Sequence, residues 1–264
     1  MAYRGTIRQR WLCSVATVLA AMTLSACVTT TERVFSNDPS PEETLERRVE
    51  LARQYIGQGD WANAKRNLAL AVEIDPRNAE VHEAFGLVYQ STGEYELAED
   101  SYEEALRLDR GFSRARNNYA AFLYSQERFR EAEQQLQYVI KDTLYPARPQ
   151  AFVNLGRCQL QLFKPVEAEA SFMRALAMDR TNTIAMLEVA ELRYDAGDYD
   201  SALRYYGTYR TILRQQSSRG LLLGIKLARA TGDKDAESSY ALALTNLYPS
   251  SEEYAAYRRL VADE

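Results

Sequence analysis

An alanine recurs along this chain at nearly constant spacing. It occupies the same place in six similar segments, and the intervals between its copies are 34, 34, 36, 34 and 34 residues. The six copies are Ala64, Ala98, Ala132, Ala168, Ala202 and Ala236. A period of this length indicates a repeat architecture, in which each unit is one small supersecondary element that buries its apolar face against its neighbours.

Each segment contains two windows with apolar residues at helical spacing, separated by a turn. In the second segment the turn falls at Gly93, and the following window carries Tyr95, Ala98 and Tyr102. A second set of small residues lies in the first window of each segment: Ala52, Gly86, Ala120, Gly156, Ala190 and Gly224. Small side chains let the two helices of a hairpin approach closely. An ordinary amphipathic helix bundle would explain the helices but not the fixed period.

This unit resembles the tetratricopeptide repeat (TPR), and the resemblance covers residues 45 to 249. It implies an all-α fold, namely a right-handed superhelical solenoid of six helix hairpins plus a C-terminal capping helix. The predicted TPR domain spans 41–264, with repeats at 45–78, 79–112, 113–148, 149–182, 183–216 and 217–249 and the capping helix at 251–262. We expect a longer link before Pro149, a turn without glycine at Phe163, and one apolar face on the capping helix formed by Tyr254, Tyr257, Leu260 and Val261.

The N-terminal segment has the features of a secretory signal. Three arginines precede an apolar run that is short for a membrane span, and Leu24-Ser25-Ala26-Cys27 follows. This tetrapeptide resembles a bacterial lipobox, which implies a signal peptide at 1–26, a lipid on Cys27 and a flexible tether over 27–40. Val28, where aspartate would favour the inner membrane, favours an outer-membrane location facing the periplasm. The alternative is a simple anchor helix with an incidental cysteine.

Charge and reactive residues bear on the class of activity. The net charge is −5, and the chain after residue 26 carries 29 basic and 37 acidic residues, a net of −8. Such an acidic chain is poorly suited to nucleic acid. One histidine, His82, and one cysteine that is neither lost with the signal nor lipidated, Cys158, cannot form a catalytic Ser-His-Asp or Cys-His site or a zinc site. We therefore expect no enzyme, no cofactor, no metal and no small-molecule substrate.

Partner binding is expected on the first helix of each repeat, because those helices line the concave face of TPR arrays. Carrying over the groove positions gives a candidate set drawn from the first four repeats. Its members are Val49, Arg53, Ile56, Glu83, Leu87, Gln90, Arg114, Asn117, Asn118, Tyr124, Asn154 and Arg157. The alternative is that neighbouring repeats or the tether partly cover these residues.

A lipoprotein built from six such repeats without another domain resembles the type IV pilus biogenesis lipoproteins, the PilW/PilF-type pilotins. The resemblance implies that the chain binds the outer-membrane secretin subunit of the pilus system and promotes its localisation and assembly into a multimer. An alternative is a TPR scaffold lipoprotein of the β-barrel assembly or cell-wall machinery.

Overall fold

The computed structural model describes residues 39–262, and within them it contains thirteen α-helices and no strand. The helices are α1 (Pro41–Gln58), α2 (Trp61–Ile74), α3 (Ala79–Thr92), α4 (Tyr95–Leu108), α5 (Ser113–Ser125), α6 (Phe129–Val139), α7 (Arg148–Gln161), α8 (Pro165–Met178), α9 (Thr183–Asp195), α10 (Tyr199–Ile212), α11 (Ser218–Thr231), α12 (Lys234–Leu247) and α13 (Glu252–Ala262). The predicted signal peptide, Cys27 and the tether up to residue 38 lie outside the described residues.

The first twelve helices form six hairpins, which confirms the predicted all-α TPR solenoid. The odd-numbered helices α1 to α11 are the first helices of the repeats, here called A helices, and the even-numbered helices α2 to α12 are the B helices. Ser40 begins the first A helix with a reciprocal pair of hydrogen bonds. Its Oγ accepts from the Glu43 backbone N–H, and its own N–H donates to Glu43 Oε2, both at 3.1 Å.

Every hairpin turn contains one residue in the left-handed region. Four of these residues are glycines with φ between 73° and 80°, while Glu127 and Phe163, both at φ 59°, occupy the same place in repeats 3 and 4. The same bond closes each turn; in repeat 2 the Glu94 N–H donates to the Tyr89 carbonyl at 2.9 Å. The sequence predicted the turn without glycine at Phe163 but did not predict the corresponding turn at Glu127.

Aspartates organise the links between repeats. Asp75, Asp109 and Asp179 end three B helices, and each side chain accepts the N–H of the residue two positions later. Asp142 makes the same contact with Leu144 inside the longer link, which runs from residue 140 to 147 between α6 and α7. Pro149 lies in the first turn of α7, where the missing N–H costs no helical bond.

The buried residues form four apolar clusters in chain order, and together they involve every repeat. Small and large residues are matched inside the hairpins of repeats 1 to 4, whereas in repeat 5 Ala190 stands sixteen positions before the large Tyr206. A Cβ added to Gly86 would lie 2.6 Å from the Tyr102 ring, and one added to Gly156 would lie 2.6 Å from the Phe172 ring. In repeats 1 and 3 an alanine takes the place of the glycine, and the residue sixteen positions later is a leucine.

Successive A helices approach one another more closely than successive B helices. Among the described helices, α3 and α5, α5 and α7, and α9 and α11 make close backbone contacts, and no comparable pair consists of two B helices. The array therefore places the A helices on its inner side. We call the surface of these helices that faces away from the B helices the A face.

Helix α13 covers the end of the array against α11 and α12. Tyr254 and Tyr257 pack against the last apolar cluster, as predicted. The predicted contribution of Leu260 and Val261 is wrong, because both side chains are exposed and Ala256 packs there instead. Both residues lie in the last described turn of the helix, which extends beyond the surface that it covers.

Candidate functional site

The A helices share one register relative to their small residue. The position three residues before the small residue is buried in all six repeats: Val49, Glu83, Asn117, Val153, Leu187 and Leu221. The positions one and four residues after it are at least partly exposed in the first five repeats, and they include Arg53, Leu87, Tyr124 and Arg157.

This register corrects part of the predicted groove. Val49 is only 7% exposed and belongs to the first apolar cluster, so it is a core residue and offers no free surface to a partner. Ile56 is half-buried and packs partly against the same cluster, whereas Leu87 is half-buried but lies outside the clusters. The physical reason is that a residue three positions before the small one points toward the adjacent repeat rather than along the A face.

Glu83 contacts predicted groove residues of the repeats on either side of its own. Its side chain is completely buried, and its carboxylate accepts from Arg53 Nη2 and from Asn118 Nδ2, each at 2.6 Å. Arg114 lies beside it, with its Nε 3.6 Å from Glu83 Oε2 and its Nη2 2.9 Å from Glu80 Oε2. A buried carboxylate requires such partners, because leaving it unpaired would cost several kcal/mol, on the order of 3–5. These residues therefore link α1, α3 and α5.

A second network joins the A helices of repeats 4 to 6. Arg219 donates to both oxygens of Glu188, at 2.9 and 2.7 Å, and also to Glu191. Hydrogen bonding to Glu188 raises the pKa of Arg219, whereas burial raises the pKa of Glu191 against the opposing effect of Arg219. Arg157 approaches Glu188 from the other side, with its Nε 3.5 Å from Oε1.

Neutral amides connect the two networks. Asn154 donates to Asn117 at 3.2 Å and accepts from Gln150 at 3.0 Å. Asn117 is buried, so its amide forms part of the contact between α5 and α7. Gln90, also predicted in the groove, accepts from the Tyr102 hydroxyl at 3.0 Å.

Two recesses open beside Arg157. The smaller has a volume of about 140 Å³ and is lined by Ala120, Ala121, Tyr124, Leu136, Asn154, Arg157 and Cys158. The larger, of about 530 Å³, is lined by Arg157, Thr183, Ile184, Leu187, Glu188, Tyr209, Leu213, Gln215, Gln216, Ser217, Arg219 and Tyr248. The prediction from sequence missed Ala121. Its small size could have indicated a recess, because the same position holds arginine or leucine in repeats 1, 2 and 4.

The surroundings of Cys158 and His82 indicate that both residues have structural roles. Burial raises the pKa of the Cys158 thiol to about 12, so the thiol is protonated and unreactive at neutral pH. The His82 ring lies 2.9 Å from the Pro76 carbonyl at the link before α3. Within residues 39–262 no cluster of three or more His, Cys, Asp or Glu could hold a metal ion. In the same range, no helix has the length and apolar character of a membrane span.

The stacked hairpins and the A face define this chain as a TPR solenoid. Models of the tetratricopeptide repeat match residues 79–112 and 122–183.

The chain is 38% identical over 241 residues to the type IV pilus assembly protein PilF of Pseudomonas aeruginosa, covering 91% of this chain and 95% of PilF. A solved structure of P. aeruginosa PilF superposes with a TM-score of 0.80 and 38% identity, over 84% of this chain and 99% of that one. The crystal structure of PilW, a type IV pilus biogenesis factor, superposes with a TM-score of 0.72 and 27% identity, over 81% and 98%. This chain belongs to the PilF family of type IV pilus assembly proteins.

Proposed function

We propose that this protein is an outer-membrane lipoprotein that binds the secretin subunit of the type IV pilus and promotes its localisation and assembly into a multimer. The observation that carries the proposal is the match to PilF across nearly the full length of both chains. In this role the chain acts as a binding scaffold rather than an enzyme. Its protein partner is the secretin, and its membrane partner is engaged through a lipid on Cys27.

The N-terminal sequence supports the membrane part of the proposal. Leu24-Ser25-Ala26-Cys27 has the form of a lipobox, and Cys27 would carry the acyl chains. Two or three chains give stable anchoring, whereas a single chain binds membranes only marginally. The Cys27→Ala variant should therefore fold but leave the outer-membrane fraction, and secretin multimers should decrease with it. Outer-membrane fractionation of this variant at the level of the unmodified protein would contradict the lipid anchor.

The A face supports the binding part of the proposal. Leu87 is an apolar side chain at a surface position of α3 and lies outside the apolar clusters, so a partner could cover it without disturbing the fold. Val49 offers the contrasting case, because it is a core residue of the same half of the array. Fully burying an exposed large apolar side chain contributes about 1.5–3 kcal/mol. Leu87 is already half-buried, so covering it contributes less.

These two residues give a matched experiment. Leu87→Ser should keep the melting temperature and weaken secretin binding in a pull-down with the purified subunit. Val49→Ser should instead lower the melting temperature, because it places a hydroxyl in the apolar cluster. A Leu87→Ser protein that is stable and binds the secretin normally would remove this end of the A face from the binding site.

A deletion strain tests the function as a whole. We expect loss of heat-stable secretin multimers and of surface pili, both restored by the unmodified gene. Normal secretin multimers in the deletion strain, together with defects in barrel insertion or cell-wall growth, would favour a scaffold of those machineries instead.

A further inference from the structure

The two recesses in the A face meet at a single side chain. Arg157 lines both of them and forms the wall between the small recess of repeats 3 and 4 and the large recess of repeats 4 to 6. The small recess exists because Ala121 carries only a methyl group where Arg53, Leu87 and Arg157 stand in other repeats. A partner segment that lies along this part of the A face therefore contacts the small recess, the Arg157 guanidinium and the large recess in succession.

Arg157 is only loosely held. Among the described residues its one close charged neighbour is Glu188 at 3.5 Å, and its side chain remains 39% exposed. Glu188 is already satisfied by two short hydrogen bonds from Arg219. A guanidinium has five N–H donors in a planar fork that suits a carboxylate, so most of the donors of Arg157 can serve a ligand.

The accessible charge in the recesses is positive. Arg157 and Arg219 have exposed fractions of 39% and 40%, whereas the Glu188 side chain between them is 4% exposed. Among the described residues no other charged residue lines either recess. Arg219 is also paired with Glu191, whose side chain is 25% exposed, so Arg157 is the guanidinium that remains available to a carboxylate. This arrangement is complementary to a carboxylate, although the chain as a whole has a net charge of −5.

The walls on either side of Arg157 are mainly apolar. Leu136 and Tyr124 line the small recess, and Ile184, Leu187 and Leu213 line the large one. Ile184 is exposed, so apolar surface is available to a partner in the large recess. Apolar recesses of this kind bind the anchor side chains that dominate interface affinity.

We propose that repeats 3 to 6 bind a partner segment in which an aspartate or glutamate stands between two apolar side chains. The carboxylate pairs with Arg157, and the apolar side chains enter the two recesses. This inference rests on the proposed function, since it assigns the segment to the secretin subunit and makes it a contact separate from Leu87.

Two variants test the site, each with a matched control. Ala121→Phe fills the small recess from an exposed position, and Ala69→Phe makes the same change at an exposed position of α2, a B helix. Arg157→Gln removes the charge while Glu188 keeps its bonds from Arg219, and Arg130→Gln removes an exposed charge from α6, also a B helix. Melting temperatures establish that all four proteins are folded.

The measurement is the affinity of the full-length, detergent-solubilised chain for the purified secretin subunit. We expect at least a tenfold loss for Ala121→Phe and for Arg157→Gln and no change for the controls. Added salt should weaken binding of the unmodified chain more than binding of Arg157→Gln, because the ion pair is screened. If the unmodified chain binds and all variants bind equally, the site is refuted while the proposed function stands. If the unmodified chain does not bind, both are overturned.

Discussion

Replacing Gly86 with alanine in the middle of α3 should destabilise the protein, although alanine is the better helix former. Propensity alone predicts a gain of about 0.8–1.0 kcal/mol. The new Cβ, however, would lie 2.6, 2.7 and 2.8 Å from three carbons of the Tyr102 ring. Contacts with three ring atoms at once cannot be relieved by a small rotation of one bond.

The Tyr102 ring has no free space into which it could move. It is completely buried, and the ring centroids of Tyr119 and Phe122 lie 5.7 and 5.9 Å from its own. Overpacking of a core typically costs about 1–3 kcal/mol. Taking the upper part of that range and subtracting the propensity gain leaves a net loss of about 1–2 kcal/mol.

A second substitution should rescue the first. Repeats 1 and 3 pair an alanine with a leucine where repeat 2 pairs Gly86 with Tyr102, so Gly86→Ala with Tyr102→Leu recreates their arrangement. Tyr102→Leu alone should cost about 1–3 kcal/mol, through lost packing and an unpaired Gln90. The double variant should be more stable than the sum of the single effects by about 1–2 kcal/mol.

The assay is urea unfolding followed by circular dichroism, with free energies from linear extrapolation. Gly207→Ala is the control, because Gly207 lies inside α10 and a Cβ there would have no neighbour within 4 Å. The control should be neutral or stabilising. Single effects that add within about 0.5 kcal/mol, or a stabilising Gly86→Ala, would refute the small-to-large matching.

Three further predictions concern single residues. Phe163→Gly should raise the urea midpoint, because the exposed ring (92%) offers little packing and a left-handed non-glycine residue costs about 1–2 kcal/mol; a lower midpoint would show that the ring stabilises the fold. Cys158, in a Cys13→Ser and Cys27→Ala chain, should react with Ellman's reagent only after denaturation, since burial raises its pKa to about 12; rapid reaction of the folded chain would contradict its burial. Hydrogen bonds from Ser201 lower the pKa of Asp198, so its stabilising effect is present above about pH 4 and is lost as the pH falls below that value. Asp198→Asn should therefore flatten the fall in melting temperature between about pH 5 and 3, and an unchanged slope would count against this assignment.

The fold could be predicted from the sequence because the repeat period can be recognised from residues that lie close together along the chain. The same features recur about every 34 residues: Ala98 and its equivalents, the turn glycines and the helical windows. The turn at Glu127 was missed because nothing in a glutamate indicates a positive φ, and the flanking helices impose that conformation. Leu260 and Val261 were misplaced because apolar character says nothing about how far the neighbouring surface extends.

The site was harder to predict, because its contacts join distant parts of the chain. Glu83 looks like any surface glutamate until Arg53 and Asn118, 30 and 35 positions away, are brought onto it. Val49 has the apolar character of a groove residue, but its register makes it a core residue. A one-residue error in register changes the face of a helix by about 100°, which is enough to exchange groove and core.

The two charged networks do not extend across the junction between repeats 3 and 4. A carboxylate in repeat 2, Glu83, connects the A helices of repeats 1 to 3, and one in repeat 5, Glu188, connects those of repeats 4 to 6. Between them, α5 and α7 are joined by the amides of Asn117 and Asn154. The longer link of residues 140–147 falls between the same two repeats. The small recess opens there because this pair of A helices is joined by short amides and presents Ala121, so no long charged side chain fills the space.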